Sequence, residues 1–418
     1  MDRLQIKGGV PLHGEIRIDG AKNAALPILA ASILATEPVI LMNVPHLRDT
    51  STMINLLAQM GASIKFCERE SVQVNASQMN DFTAPYDLVR TMRASILVLG
   101  PLLARFHQAK VSMPGGCAIG TRPIDLHLMA LEAMGATISM QNGYIEAKSD
   151  GRLHGAEIHF PMVSVGATEN ALSAAVLADG KTTLHNVARE PEIVDLANFL
   201  NHLGAKIEGA GTDTIVVEGV KALSGGEYRI ISDRIEAGTY LIAAAMTQGD
   251  VQIKNIKPSL LLSVLDKLMM LGANVLAGDD HIHLSMSKRP KAIDVVTEAY
   301  PGFPTDMQAQ MMSLLSIAEG ESHLTETIFE NRFMHVQELN RMGARIRLQD
   351  NMAYCEGAEK LSGAPVMATD LRASASLILA GLVAEGETLI NRVYHIDRGY
   401  PRVEEKLSQL GARVKRLG

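Results

Sequence analysis

A six-residue phrase recurs along this 418-residue chain: LAQMGA (57–62), LEAMGA (131–136), LNHLGA (200–205), LMMLGA (268–273), LNRMGA (339–344) and LSQLGA (407–412). Its glycines, Gly61, Gly135, Gly204, Gly272, Gly343 and Gly411, lie 74, 69, 68, 71 and 68 residues apart. Repetition at so regular a period means that the fold is built from copies of one supersecondary unit. Ahead of Gly204, the residues Ile193, Leu196, Ala197, Leu200 and Leu203 fall at helical spacing and form one apolar stripe. Glycine then ends the helix, because it enters the left-handed C-cap conformation without a Cβ penalty. The next residues alternate as a strand does, in Ile64 and Phe66, Ile138 and Met140, Ile346 and Leu348. A turn and a second strand follow, as in Val72 to Val74 or Ile282 to Leu284.

Every unit also carries a helix of small and apolar residues, with copies starting near Lys22, Arg93, Glu169, Glu236, Asp306 and Arg372. A strand follows each (39–41, 110–112, 183–185, 251–253, 322–324 and 388–390). One unit therefore holds two helices and about four strands, an α/β (α+β) composition. The sixth unit ends at Val414 and Lys415 without its second strand, and Leu4 to Lys7 reads as that missing strand. Three units per domain predict one domain at 22–230 and another at 1–21 plus 231–418.

The chain is 47% hydrophobic and 20% charged, which excludes disorder and coiled coil. Its net charge of −7 argues against a general nucleic-acid binder, since phosphate affinity needs a basic surface. Three cysteines in a chain this long predict a reducing compartment rather than a disulfide framework. The apolar stretch 24–35 is too short to span a bilayer, so the expectation is a cytoplasmic protein with no membrane partner.

Whatever matches the repeat is read as structural, and departures are candidates for chemistry. Gly180-Lys181-Thr182 resembles the end of a phosphate-binding loop, but Ala175 replaces the required glycine and the order is helix to strand. Asp279-Asp280-His281-Ile282-His283 resembles a metal site, yet it occupies a repeat turn and strand; no metal or cofactor is expected. Cys67 and Cys355 sit in repeat strands and are read as packing residues.

Unit two breaks the pattern between its strand and its next helix, with the segment 113–125 (MPGGCAIGTRPID). Three glycines predict a loop there, and it carries Cys117 a few residues from Arg122. A nearby cation lowers a thiol's pKa and makes it a nucleophile or a proton source; the alternative is a packing cysteine in a connection. Charges also recur at equivalent repeat positions. Lys22, Asn23, Arg90, Arg93, Arg234, Asp306, Asp370 and Arg372 lie at helix starts, and Arg48, Arg122, Arg189, Lys257, Arg332 and Arg398 lie in strand-to-helix loops. Helix starts bind anions through free N–H groups and the helix dipole, so an anion-binding cleft is expected; a solvated charged cap is the alternative for any single residue.

On these residues the chain resembles the UDP-N-acetylglucosamine enolpyruvyl transferases. The carriers span the whole chain: GAKNAALP (20–27), PGGCAIGTRPIDLH (114–127), SVGAT (164–168), AREPEIVD (188–195), YPGFPTDMQAQ (300–310), ENRF (330–333), TDLRA (369–373) and IDRGY (396–400). The resemblance implies a two-domain inside-out α/β barrel of six repeated units. It implies transfer of the enolpyruvyl group of phosphoenolpyruvate to the 3′-hydroxyl of UDP-N-acetylglucosamine by addition and elimination, with release of phosphate, the first committed step of peptidoglycan synthesis. It further implies that Cys117 is the acid, can hold phosphoenolpyruvate as an adduct, and is the target of the epoxide fosfomycin. Asp306 is similar to the carboxylate that contacts the 3′-hydroxyl. Lys22, Arg93, Arg122, Arg372 and Arg398 match anion-binding cations, with Lys22 and Arg398 also counted as catalytic, and Asn23 and Asp370 match polar residues of the same site.

The sugar nucleotide is expected along Arg122, Pro123, Ile124, Asp125, Leu126 and His127, along Val163, Ser164, Val165 and Gly166, and at Ile328. Met162 stands where close family members often carry Lys. Domain closure over the sugar nucleotide is implied, and a monomer is expected, because a closed six-unit body has no evident need of a partner. Two alternatives remain at this point. The shikimate-pathway enolpyruvyl transferase shares the six units but lacks the glycine-cysteine loop and SVGAT. A catalytically inactive repeat-built binding protein would have no constraint to keep Lys22, Cys117, Asp306 and Arg398 together.

Overall fold

Each copy of the repeated phrase closes a helix with the same two hydrogen bonds. The alanine N–H donates back to the carbonyl of the phrase's leucine, five residues earlier. These bonds run Ala62 to Leu57, Ala136 to Leu131, Ala205 to Leu200, Ala273 to Leu268, Ala344 to Leu339 and Ala412 to Leu407, at 2.9–3.1 Å. The glycine N–H donates to the residue after that leucine, as Gly204 does to Asn201 at 3.0 Å. This pairing is the Schellman motif, and it requires a left-handed residue at the glycine position. Gly204 has φ +105. The leucine stays invariant because its side chain packs in the core while its carbonyl accepts the closing bond.

A computed structural model describes residues 2–68, 70–114 and 124–418. They form six four-stranded sheets of one topology. In each, an edge strand runs parallel to a central strand, which pairs antiparallel with the inner arm of a hairpin. For the third repeat the order is Glu157–His159, Lys181–His185, Thr214–Glu218 and Lys206–Glu208. For the sixth, the inner arm is Arg3–Lys7, paired with Glu387–Asn391 on one side and Arg413–Leu417 on the other. The N-terminal strand thus completes the last repeat, as its alternating pattern predicts.

The described residues fall into two compact units, one from Gly20 to Ile231, the other from residue 2 to Asp19 together with Ser232 to Gly418. The first has a core of three inner helices, Lys22–Ala31, Leu99–Phe106 and Val165–Ala175. Every residue from 24 to 31 is buried, as expected of a helix that is apolar or small all round, and so is every residue from 167 to 175, Glu169 and Asn170 included. Glycine is required at 100, where a Cβ would sit 2.4 Å from the Asn170 carbonyl oxygen of the neighbouring helix. The second unit packs Arg234–Met246, Gln308–Leu315 and Leu371–Val383 against one another. The outer helices are amphipathic; in Pro191–His202 the predicted stripe Ile193, Leu196, Ala197 and Leu200 is buried.

Two expectations are corrected. The third inner helix begins at Val165, not near Glu169, because Ser164 caps it by accepting a hydrogen bond from the Ala167 N–H at 3.3 Å. Cys67 is exposed rather than packed, since it ends Ser63–Cys67, the outer edge strand of its sheet, whereas Cys355 on an inner arm is buried. Burial pushes the Cys355 thiol up to about 12. Some apolar residues of outer strands are left in solvent too, Phe66 at 76% and Met140 at 54% exposure, whereas Ile207 and Ile346 are buried. The 279–283 segment is the predicted turn and strand, with His283 bonded to Asp250 at 2.7 Å. Among the described residues, no helix is long and apolar enough to cross a membrane.

The closing glycine is testable without steric complication, because nothing lies within 4 Å of a Cβ added at Gly204. Gly204→Ala therefore isolates the left-handed backbone, and chemical denaturation should show a loss of about 1–2 kcal/mol. An unchanged midpoint would show that the turn does not depend on glycine.

Candidate active site

In the unit from Gly20 to Ile231, the candidate residues gather at the starts of inner helices. Lys22 is the first residue of Lys22–Ala31, and its Nζ lies 3.8 Å from Asp49 Oδ2, in the first turn of Arg48–Gln59. A cation at a helix N-terminus opposes the helix dipole. Asp49 offsets that cost, and the arrangement holds a half-buried ammonium where an anion would be favoured. Asn23 follows in the same turn, and Arg93 opens the 3₁₀ turn Arg93–Val98; both are half-buried.

His127, in the first turn of Asp125–Ala133, is buried and held by Asn170. The Asn170 Oδ1 accepts from the Gly100 N–H at 2.8 Å, so its amide nitrogen is the donor to His127 Nδ1 at 2.8 Å and to the Ile96 carbonyl at 3.0 Å. This fixes the tautomer with the proton on Nε2. Burial, with the Arg93 charge as a second cause, pulls the imidazole down to about 4. His127 is therefore a neutral N–H donor at pH 7. A Cβ on Gly166 would lie 3.2 Å from its Nε2, so the 124–127 and 164–166 segments meet. Ile124 is buried at the start of that helix, Leu126 is half-buried, and Asp125, Met162, Val163 and Val165 are exposed. Cys117, Arg122 and Pro123 lie outside the described residues.

In the other unit the centre is Asp306, in the 3₁₀ turn Thr305–Met307. Its Oδ1 accepts from Arg332 Nη2 at 2.7 Å and its Oδ2 from Arg372 Nη2 at 2.6 Å. Both guanidinium groups are buried, with side chains 6% and 7% exposed. Charge-assisted bonds from two sides fix the carboxylate in one orientation. Arg332 also donates to Thr305 Oγ1 at 2.8 Å, and Arg372 to the Tyr400 hydroxyl at 3.2 Å. Burial pulls the Arg372 guanidinium down, but Asp306 outweighs it and holds the group up, so it stays charged. Gln310 ties the cluster together, donating to the Asp306 carbonyl at 2.9 Å and to the Tyr400 hydroxyl at 3.1 Å.

Asp370 caps Leu371–Val383, with its Oδ1 accepting from the Arg372 and Ala373 N–H groups at 2.8 and 3.0 Å. It thereby sets the backbone that carries Arg372. Ile328 is 40% exposed, and its N–H donates to Glu326 Oε1 at 2.8 Å. Glu326 is buried and also accepts from Thr297 and Thr305, so it links the Ile328 loop to the Asp306 turn. Arg398 ends the 3₁₀ turn Val393–Arg398, half-buried.

Sequence reading placed Arg332 only within a set of recurring cations and gave no role to Gln310, Tyr400, Glu326 or Asn170. Gln310 had a signal: it lies four residues after Asp306, one helical turn on. The other pairings join residues far apart in the chain, and no local pattern marks them.

The family described as EPSP synthase (3-phosphoshikimate 1-carboxyvinyltransferase) matches residues 6–407. The chain belongs to the EPSP synthase family of carboxyvinyltransferases. Within this family, it is 60% identical over all 418 residues to proteins named UDP-N-acetylglucosamine 1-carboxyvinyltransferase from strains of Coxiella burnetii, covering 96% of their length. Among solved structures, the enolpyruvyl transferase NikO from Streptomyces tendae superposes with a TM-score of 0.88 at 26% identity, over 99% of this chain and 98% of that one. EPSP synthase from Acinetobacter baumannii gives 0.79 at 19% identity over the whole of both chains, a likeness of fold. The fold is the two-domain inside-out α/β barrel of enolpyruvyl transferases.

A group held below its ordinary pKa contributes stability above its unfolded value and loses it as pH falls. For His127 that loss runs from about 6.5 down to about 4. An NMR titration of the His127 Cε1–H should give a midpoint near 4. A midpoint near 6.5 would show that the ring is not buried against Arg93.

Proposed function

We propose that this protein transfers the enolpyruvyl group of phosphoenolpyruvate to the 3′-hydroxyl of UDP-N-acetylglucosamine, releasing phosphate. This is the first committed step of peptidoglycan synthesis. The observation that carries the reading is the 60% identity, over the entire chain, with relatives named for that transfer. The shikimate-pathway alternative is not favoured, because likeness to its enzyme at 19% identity speaks for the fold alone.

In this reading Cys117 gives its proton to the methylene carbon of phosphoenolpyruvate. The sugar O3′ bonds to the adjacent carbon, and its proton passes toward Asp306. The tetrahedral ketal then loses a methyl proton and phosphate, leaving the enolpyruvyl ether. Lys22, Arg93, Arg122 and Arg398 hold the phosphate and carboxylate charges, which favours the charge that develops during addition. Arg332 and Arg372 act on the reaction through Asp306, keeping one carboxylate orientation toward the hydroxyl. His127 offers its Nε2–H to the sugar nucleotide beside Ser164 and Gly166, and Asn23, Asp370 and Ile328 are assigned further polar and apolar contacts to the substrates. We also infer a cytoplasmic monomer, supported by the sparse cysteines and by the sixth sheet's use of the chain's own N-terminal strand.

Phosphate release from phosphoenolpyruvate tests the reading. It should require UDP-N-acetylglucosamine, and Cys117→Ser should lower the rate by at least about a hundredfold while leaving sugar-nucleotide binding near normal. Release driven instead by shikimate 3-phosphate would contradict the substrate, and full activity of C117S would contradict the acid.

A further inference from the structure

We propose that Glu157, His159 and His185 form a binding site for a divalent transition-metal ion, Zn²⁺ above all, on the outer face of the third repeat's sheet. Glu157–His159 is the edge strand of that sheet and Lys181–His185 its parallel neighbour, in a register that sets His159 opposite His185 and Glu157 opposite Thr183. Side chains alternate along a strand. Ile158 and Leu184 are buried, so Glu157, His159 and His185 stand on the opposite, solvent-facing side.

The donor geometry suits a small ion. Glu157 Oε1 lies 3.2 Å from His185 Nε2 and 3.5 Å from His159 Nε2, and the three ligand atoms all fall within 4.8 Å of one another. Ligands at about 2.0–2.2 Å from a tetrahedral zinc are separated by about 3.4 Å. Both Nε2 atoms face the same Glu157 oxygen, and the two imidazole rings stack 4.2 Å apart and 8° from parallel, so taking up one ion requires these solvent-facing rings to turn until their planes converge on it. Among the described residues, no other group of three histidine, cysteine or carboxylate side chains is drawn so close.

The Thr214 hydroxyl donates to Asp213 Oδ1 at 3.1 Å, which leaves its oxygen to accept from His185 Nδ1 at 3.4 Å. Without an ion, the Glu157 carboxylate accepts from His185 Nε2 at 3.2 Å, so the ring proton sits on Nε2; an ion taking that place would move the proton to Nδ1, where the Thr214 oxygen can accept it. A hydrogen bond from the far ring nitrogen to a hydroxyl is the kind of contact that orients metal-ligating histidines. Two imidazoles and one carboxylate favour zinc, cobalt, nickel or copper over magnesium and calcium, which prefer all-oxygen shells. The fourth position is left to water or to a donor from another molecule, and the ion joins the edge strand to its neighbour. This site is separate from the residues assigned to enolpyruvyl transfer.

The test is calorimetric titration of Zn²⁺ into the full-length protein and into H159A/H185A, both carrying Cys67→Ser and Cys117→Ser so that no exposed thiol or candidate catalytic cysteine competes. The parent should bind one ion, and the double histidine variant should bind at least about tenfold more weakly. Glu157→Gln should weaken binding as well, and Mg²⁺ should give no heat. These side chains lie on the solvent face, so circular dichroism of metal-free H159A/H185A should match the parent. Equal zinc affinity in parent and H159A/H185A, or no zinc binding by the parent, would overturn the proposal.

Discussion

The architecture depends on one backbone hydrogen bond repeated six times, from an alanine N–H to a leucine carbonyl across a left-handed glycine. That bond stops the outer helix and turns the chain into the outer strand of a hairpin. The same leucine that accepts it is anchored in the core, so the turn cannot shift along the sequence without exposing apolar surface. Once the hairpin is placed, its inner arm pairs with the strand that follows the inner helix, and the sheet is determined. The sixth sheet shows the strength of this template, because Arg3–Lys7, hundreds of residues away in the chain, supplies its inner arm.

A frame of this kind leaves particular positions available for chemistry. The inner helices are packed over almost their whole length, with deeper polar members such as Asn170 buried, so their starts are where polar groups are left partly exposed. Lys22, Ser164, Asp306 and Asp370 all stand there. Holding such groups half in and half out of a core is costly unless each is matched. Asp306 shows how the match is made, with a buried arginine on each oxygen. Removing one member of such a cluster leaves a buried charge without its partner and costs about 3–5 kcal/mol. The arrangement therefore ties the orientation of a reactive carboxylate to the stability of the unit that holds it.

Much of this was legible in the sequence, and the reasons are physical. The phrase with its glycine is a local hydrogen-bonding motif, so it reads directly, and its period exposes both the repeat and the N-terminal strand's place in it. The break at Cys117 is visible against the same template. Helix starts were harder. Ser164 caps Val165–Ala175 four or five residues ahead of the predicted start near Glu169, because small residues such as Gly166 and Ala167 carry no apolar period. The exposure of Cys67 was not legible, since nothing local distinguishes an edge strand from a central one. Nor was the Asp306 clamp: Arg332 and Arg372 are 26 and 66 residues away. Only the packing of helix starts in three dimensions brings them together.

The central claim is that the reactive thiol sits where the repeat is broken. Intact-mass and peptide mapping after incubation with fosfomycin and UDP-N-acetylglucosamine tests it most directly, because Cys67 is an exposed thiol in a position that obeys the repeat. The account predicts a single covalent adduct on Cys117, formed in the presence of the sugar nucleotide, with Cys67 unmodified. An adduct on Cys67, or an unchanged mass, would contradict it.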